Sequence, residues 1–180
     1  SGPALNINRA AAIIDTVVMS GNHTGLIWNG DNNGNFPSSL SNAQLSGSTC
    51  LLLVEHTYIS GSDNIITPQC SGTITLQDSQ VNWSKFTDLT QSTIINLDSF
   101  STLHLHQPVD IALADANIAP SGEIEVAWDV SVWVQNNNSN GIPDAPVQIS
   151  FDQFEPNAQQ NTNQDGFVTF PDFIGQKWTN

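Results

Sequence analysis

One phrase recurs along this chain and limits what it can fold into. It reads Leu40-Ser41-Asn42-Ala43-Gln44-Leu45-Ser46-Gly47, then Val54-Glu55-His56-Thr57-Tyr58-Ile59-Ser60-Gly61. Further copies begin at Ile14, Leu76, Leu97 and Leu113. Each has an aliphatic residue, a polar pair centred on Asp, Asn or His, a small residue, then another aliphatic residue. The step averages about twenty residues, which is the scale of a solenoid repeat.

A short strand, a polar corner and a second strand make one coil of a parallel β-helix. A single coil cannot bury its apolar face. Stacking coils builds a continuous core and pairs each strand with those above and below. The small residue lets the backbone bend, and polar corner side chains can form ladders. Residues 1–122 are therefore expected to be a short parallel β-helix. A β-sandwich with regularly spaced short strands is the alternative.

Composition agrees with an all-β exterior protein. Hydrophobic residues make up 38% of the 180 and charged residues only 11%, so Asn, Ser, Thr and Gln must supply the polar surface. No long stretch has helical periodicity. The net charge is −14, and Arg9, Lys85 and Lys177 are the only permanent cations. That composition argues against nucleic-acid binding, which needs clustered Lys and Arg, and against anionic membrane surfaces. No apolar run is long enough for membrane insertion. The chain reads as a mature protein or an excerpt from a longer one.

Cys50 and Cys70 lie about one repeat apart, so neighbouring coils could bring their sulfurs to disulfide distance. Buried free thiols are the alternative. The triplets beginning at Asn22, Asn82 and Asn137 have the glycosylation pattern and fit an exterior location.

Asp31, Asn33 and Asn35 alternate oxygen ligands as a calcium loop does, but one carboxylate is few for such a site and a plain protruding turn is the preferred reading. His104 and His106 share one face of an expected strand and could approach a metal; a solvent-facing pair beside Leu103 and Leu105 is the plainer reading. No other cofactor is implied. Arg9 and Lys85 are far apart in sequence, which argues against a lyase that stabilises a carbanion with basic side chains. Paired acids for a hydrolase could come from Asp63, Asp78, Asp88, Asp98, Asp110 or Asp115, but corner roles suffice for several of them.

The pattern changes near Pro120. Residues 123–134 alternate over a long span, as does a strand of an antiparallel sheet with one covered face. Further strands are expected at 146–151 and 166–170. The run Val130-Ser131-Val132-Trp133-Val134, the turn ending at Gly141, Ile142-Pro143-Asp144-Ala145-Pro146-Val147-Gln148-Ile149 and Asn163-Gln164-Asp165-Gly166-Phe167-Val168-Thr169-Phe170 resemble the immunoglobulin-like repeats of microbial surface proteins. They are also similar to the carboxypeptidase-regulatory-like domain. Asn163 stands where that pattern usually has Asp. Residues 1–122 look like the right-handed parallel β-helix repeats that precede such domains in large exported proteins. The resemblance implies an immunoglobulin-like β-sandwich over 123–180, and a role in spacing, adhesion and assembly. It implies no catalytic residue.

Asn136, Asn138, Asn140 and Asp144 fall in a stretch that resembles the calcium loop "D-x-D-x-D-G-x-x-D". Three carboxylates are replaced by amides, so binding would be weak. At 58 residues the second part is short for a sandwich of about 100. An incomplete sandwich and an uncapped coil could be completed by self-association or by neighbouring surface-protein subunits.

The expectation is a non-catalytic extracellular structural protein of a surface layer, adhesin or filament. The rival is a module that binds or cuts a polysaccharide along the solenoid flank, with Trp28, Trp83 and Tyr58 as a stacking platform if they are exposed on one face.

Overall fold

The aliphatic alternation becomes strands whose inward side chains stack coil upon coil. The computed structural model describes residues 5–21, 24–30, 38–47, 49–66, 71–88, 93–108, 116–150 and 158–180. The chain divides into two compact units, Ser1–Glu125 with Trp178–Asn180, and Val126–Lys177.

The first unit contains a parallel β-solenoid of about four turns. One sheet is built from β1 (Leu5–Asn8), β3 (Thr24–Asn29), β5 (Thr49–Glu55), β8 (Ser71–Gln77), β11 (Ile94–Leu97) and β13 (Ala116–Ile118), paired in that order. All are parallel. Leu26, Leu52, Ile74 and Ile95 form one inward column, and Trp28, Val54, Leu76 and Leu97 the next. All eight are buried. Removing such columns from water is the main favourable term for a fold of this kind.

The other strands of the solenoid are β2 (Ile13–Gly21), β4 (Ser38–Gly47), β6 (Tyr58–Ser62), β7 (Ile65–Ile66), β9 (Gln80–Ser84), β10 (Thr87–Asp88) and β12 (Thr102–His106). They make two further flanks. On one, Ile59, Val81 and Leu103 stack inward, as do Gly61, Trp83 and Leu105. On the other, Met19, Leu45 and Ile66 stack. The opening residues of β14 (Glu123–Trp133) follow β12.

Among the described residues, eight corners between flanks turn on a single residue. Arg9, His56 and Asp78 occupy one corner row, and Thr16, Asn42, Asp63, Lys85 and Gln107 the other, all with φ between 47° and 57°. These are left-handed conformations that side chains normally avoid and that Asn and Asp tolerate best. The ladder runs through the bends. His56 N–H donates to the Gln77 carbonyl at 2.9 Å, and Lys85 N–H to the His106 carbonyl at 2.8 Å. Thus the bend falls on the polar residue of the recurring phrase, not on the small one. The copies at Ile14 and Leu40 serve the second corner row, and those at Val54 and Leu76 the first, so one phrase falls on two different corners.

Buried polar groups brace the corners. Asn64, 1% exposed, donates from Nδ2 to the Leu40 carbonyl at 2.8 Å and accepts at Oδ1 from Ala43 N–H at 3.1 Å. Ser79 Oγ accepts from Thr57 N–H at 3.3 Å, and Ser101 Oγ from Ser79 N–H at 3.2 Å.

The second unit contains two antiparallel ladders. The remainder of β14 runs against β17 (Phe167–Thr179), with Val134 N–H donating to the Gly166 carbonyl at 2.9 Å. The other ladder pairs β15 (Pro146–Ile149) with β16 (Ala158–Asn161). The alternation expected over 123–134 is present as β14. The described residues establish these ladders and go no further toward an immunoglobulin-like sandwich.

Candidate functional site

Three consecutive coils meet along the first corner row, and the side chains there make a linked constellation among the described residues. The sequence forces this: a corner residue in the left-handed region turns its side chain out, and parallel stacking repeats that position on the next coil. His56 Nδ1 lies 3.1 Å from Asp78 Oδ2. The Asp78 N–H in turn donates to Asp98 Oδ2 at 2.9 Å. Asp98 Oδ1 accepts from the Ser101 hydroxyl at 2.6 Å and from Phe100 N–H at 3.0 Å.

Asp98 therefore organises the turn that carries Phe100. Burial by itself raises its carboxyl pKa. Hydrogen bonds from Ser101, Phe100 and Asp78, with the field of His56, outweigh that and hold the pKa below the ordinary carboxylate value.

His56, Thr57, Tyr58, Asp78, Ser79, Gln80 and Phe100 line a cleft of about 250 Å³. Phe100 is 77% exposed and Tyr58 41%. The Tyr58 hydroxyl accepts from Asn82 Nδ2 at 2.8 Å, which fixes the ring and leaves the phenolic proton free to donate. Around this cleft stand an imidazole, a carboxylate, a carboxamide, a phenol and an exposed phenyl ring. That set suits reversible recognition of a polar ring with apolar faces.

The stacking platform expected from the tryptophans is not formed. Trp28 is 0% exposed and Trp83 3%, so both are core residues. Trp28 Nε1 donates to the Ala10 carbonyl at 3.4 Å, and Trp83 packs on Phe86 with centroids 5.2 Å apart. Inward strand positions in the solenoid accept the largest side chains, and both indoles fall there. Of the three aromatics named, Tyr58 alone reaches the cleft. Phe100 was not singled out from the sequence; its place after an Asp-Ser turn in one of the repeated phrases was the available signal.

The other singled-out residues are dispersed. Asp31, Asn33, Asn35, Asn22 and Cys70 lie outside the described residues. Cys50 is on β5, where its backbone partner on the next coil is Gly72. Asn82 sits within β9, and Asn137 is exposed in a turn. Asn136 Oδ1 accepts from the N–H groups of Asn138 and Asn140 at 2.9 and 3.1 Å, so this amide closes its own turn. Asn140 and Asp144 are exposed, and Asp144 N–H donates to the Thr162 carbonyl at 3.1 Å. Among the described residues no group of three His, Cys, Asp or Glu side chains could hold a metal ion. His104 Nδ1 lies 3.2 Å from Glu125 Oε2, while His106 flanks the buried Leu105.

Fold and cleft together define the class: an all-β chain with a parallel β-solenoid and a lateral cleft on its first corner row. No protein-family model, curated protein or solved structure matches the chain.

Proposed function

We propose that this chain is a non-catalytic extracellular structural module, a rigid spacer in a surface layer, adhesin or filament. One observation carries the reading: among the described residues the backbone ladder continues through bends at single left-handed residues such as His56 and Lys85. Such a stack resists bending and presents the same flank on successive coils, which suits a spacer. Its acidity and its reliance on Asn, Ser, Thr and Gln for polar surface fit an exterior setting.

The separation of the solenoid's cations supports a non-catalytic role. Arg9 belongs to the first corner row and Lys85 to the second. They do not combine into a site that could stabilise a carbanion. Under this reading the second unit belongs to an immunoglobulin-like domain of the microbial surface type, and neighbouring subunits are the partners. A Cys50–Cys70 bridge, glycans on Asn22, Asn82 or Asn137, and weak calcium binding at the Asn-rich turns would accompany export.

Immunogold labelling of intact source cells with antibody raised against the chain tests the proposal. Label on unpermeabilised cells or on shed filaments is the expected result. Label that requires permeabilisation overturns it.

A further inference from the structure

We propose that the cleft lined by His56, Tyr58, Asp78, Gln80 and Phe100 binds one non-acidic pyranose ring of a glycan. Size comes first. At about 250 Å³ the cleft falls just below the range of roughly 300 Å³ and upward typical of drug-sized ligands, which suits a single ring.

Chemistry comes next. A pyranose has apolar C–H faces and a rim of hydroxyl groups that both donate and accept. Phe100 offers an apolar face that is 77% exposed, and a phenyl ring held out in water is unfavourable unless something covers it. It is not a loose side chain on a free loop, because Asp98 fixes its backbone N–H at 3.0 Å. Tyr58 adds a second ring, with its hydroxyl oriented by Asn82. The Gln80 carboxamide supplies a donor and an acceptor, and the free phenolic proton of Tyr58 another donor. Asp78 has one oxygen against His56 and acceptor capacity remaining. Apolar faces with alternating donors and acceptors match the sugar.

Charge selects within the class. Asp78 lines the cleft and Asp98 stands on the next coil, in a chain of net charge −14. A uronate carboxylate would enter against like charge, whereas neutral and amino sugars would not.

Titration of the full ¹⁵N-labelled chain with cellotetraose, mannotetraose, a glucosamine tetramer and tetragalacturonate provides the test. The expected result is millimolar-range binding of at least one of the first three. It should shift the amide signals of His56, Asp78, Gln80 and Phe100, with no shift from tetragalacturonate. Phe100→Ala should weaken that binding by about tenfold or more while leaving the melting temperature unchanged, because the ring packs mainly against water. Gln80→Ala is the second variant, at the carboxamide that lines the cleft from β9. The idea fails if none of the three non-acidic probes shifts these signals, if tetragalacturonate binds more tightly than they do, or if both variants keep full affinity. A cleft that binds none of them leaves the proposed surface role intact, since that role rests on the ladder and not on this site.

Discussion

Asp98 holds the backbone N–H of Asp78, one coil away, at 2.9 Å, and so ties two corners together through a carboxylate. The same carboxylate satisfies Phe100 and Ser101. Asp98→Ala removes all three bonds and should cost about 1–2 kcal/mol, the partial exposure of the site softening the loss. Because the pKa of Asp98 is lowered in the folded chain, its contribution is complete above the ordinary carboxylate value and disappears as pH falls through the lowered one. Chemical denaturation of wild type and Asp98→Ala from neutral pH downward should show the stability gap closing once the pH is below about 4. A gap independent of pH would mean that the carboxylate charge is not what matters.

Asn64 gives a larger effect. Its amide bonds both the Leu40 carbonyl and the Ala43 N–H inside the solenoid. Asn64→Leu leaves both backbone groups buried without partners, at about 1–3 kcal/mol each. Asn64→Asp keeps an acceptor but loses the donor and buries a charge, so it should be at least as damaging. Denaturant midpoints at constant slope provide the measurement; a loss under about 1 kcal/mol for both variants would show that water replaces the amide.

The solenoid was legible because its corners need residues of one kind. A left-handed bend favours Asn and Asp, and an exposed corner tolerates His or Lys. Aliphatic residues must flank it, so the phrase around His56 and Asp78 is visible without coordinates. Less visible was that Asn42 and His56 mark different rows. Both sit in the same local pattern, and only strand pairing separates them. The register also sets the Cys50 position against Gly72, a step that the irregular phrase spacing could not supply. Trp28 and Trp83 were ambiguous for a similar reason. Alternation shows that a strand has two faces, but an amphipathic indole can take either, and Trp28 has the apolar Ile27 on the opposite face while Trp83 lies between Asn82 and Ser84. The cleft was illegible because its walls come from three coils, and the exposure of Phe100 depends on a turn that Asp98 organises.

Gly61 tests the packing of the coils. A Cβ there would run into the Leu40 carbonyl, and Gly61 stacks on Trp83 in the next coil. Gly61→Ala cannot be relieved by a rotamer change, because the obstacle is backbone. It should cost roughly 2–3 kcal/mol by forcing a core shift. A thermal melt within error of wild type would show that β6 slides without penalty.

Lys85 offers the cleanest test of the one-residue corner. Its side chain is exposed, its φ is 53°, and its N–H bonds the His106 carbonyl. A left-handed residue other than Gly, Asn or Asp carries a strain of about 1–2 kcal/mol. Lys85→Asn should therefore stabilise the chain by about 0.5 kcal/mol, since Asn enters this region at lower cost. Lys85→Gly removes more strain but gives back roughly 0.5–1 kcal/mol through the freedom gained by the unfolded chain, so it should come out near neutral. Lys85→Val should destabilise by about 1 kcal/mol or more, because a β-branched side chain fits this conformation worst. Surface charge cannot produce that order, as all three variants lose the same cation. Denaturation midpoints ranked Asn above Lys and Lys above Val would support the single-residue bend. Val equal to or better than Asn would show that the corner does not turn in the left-handed region.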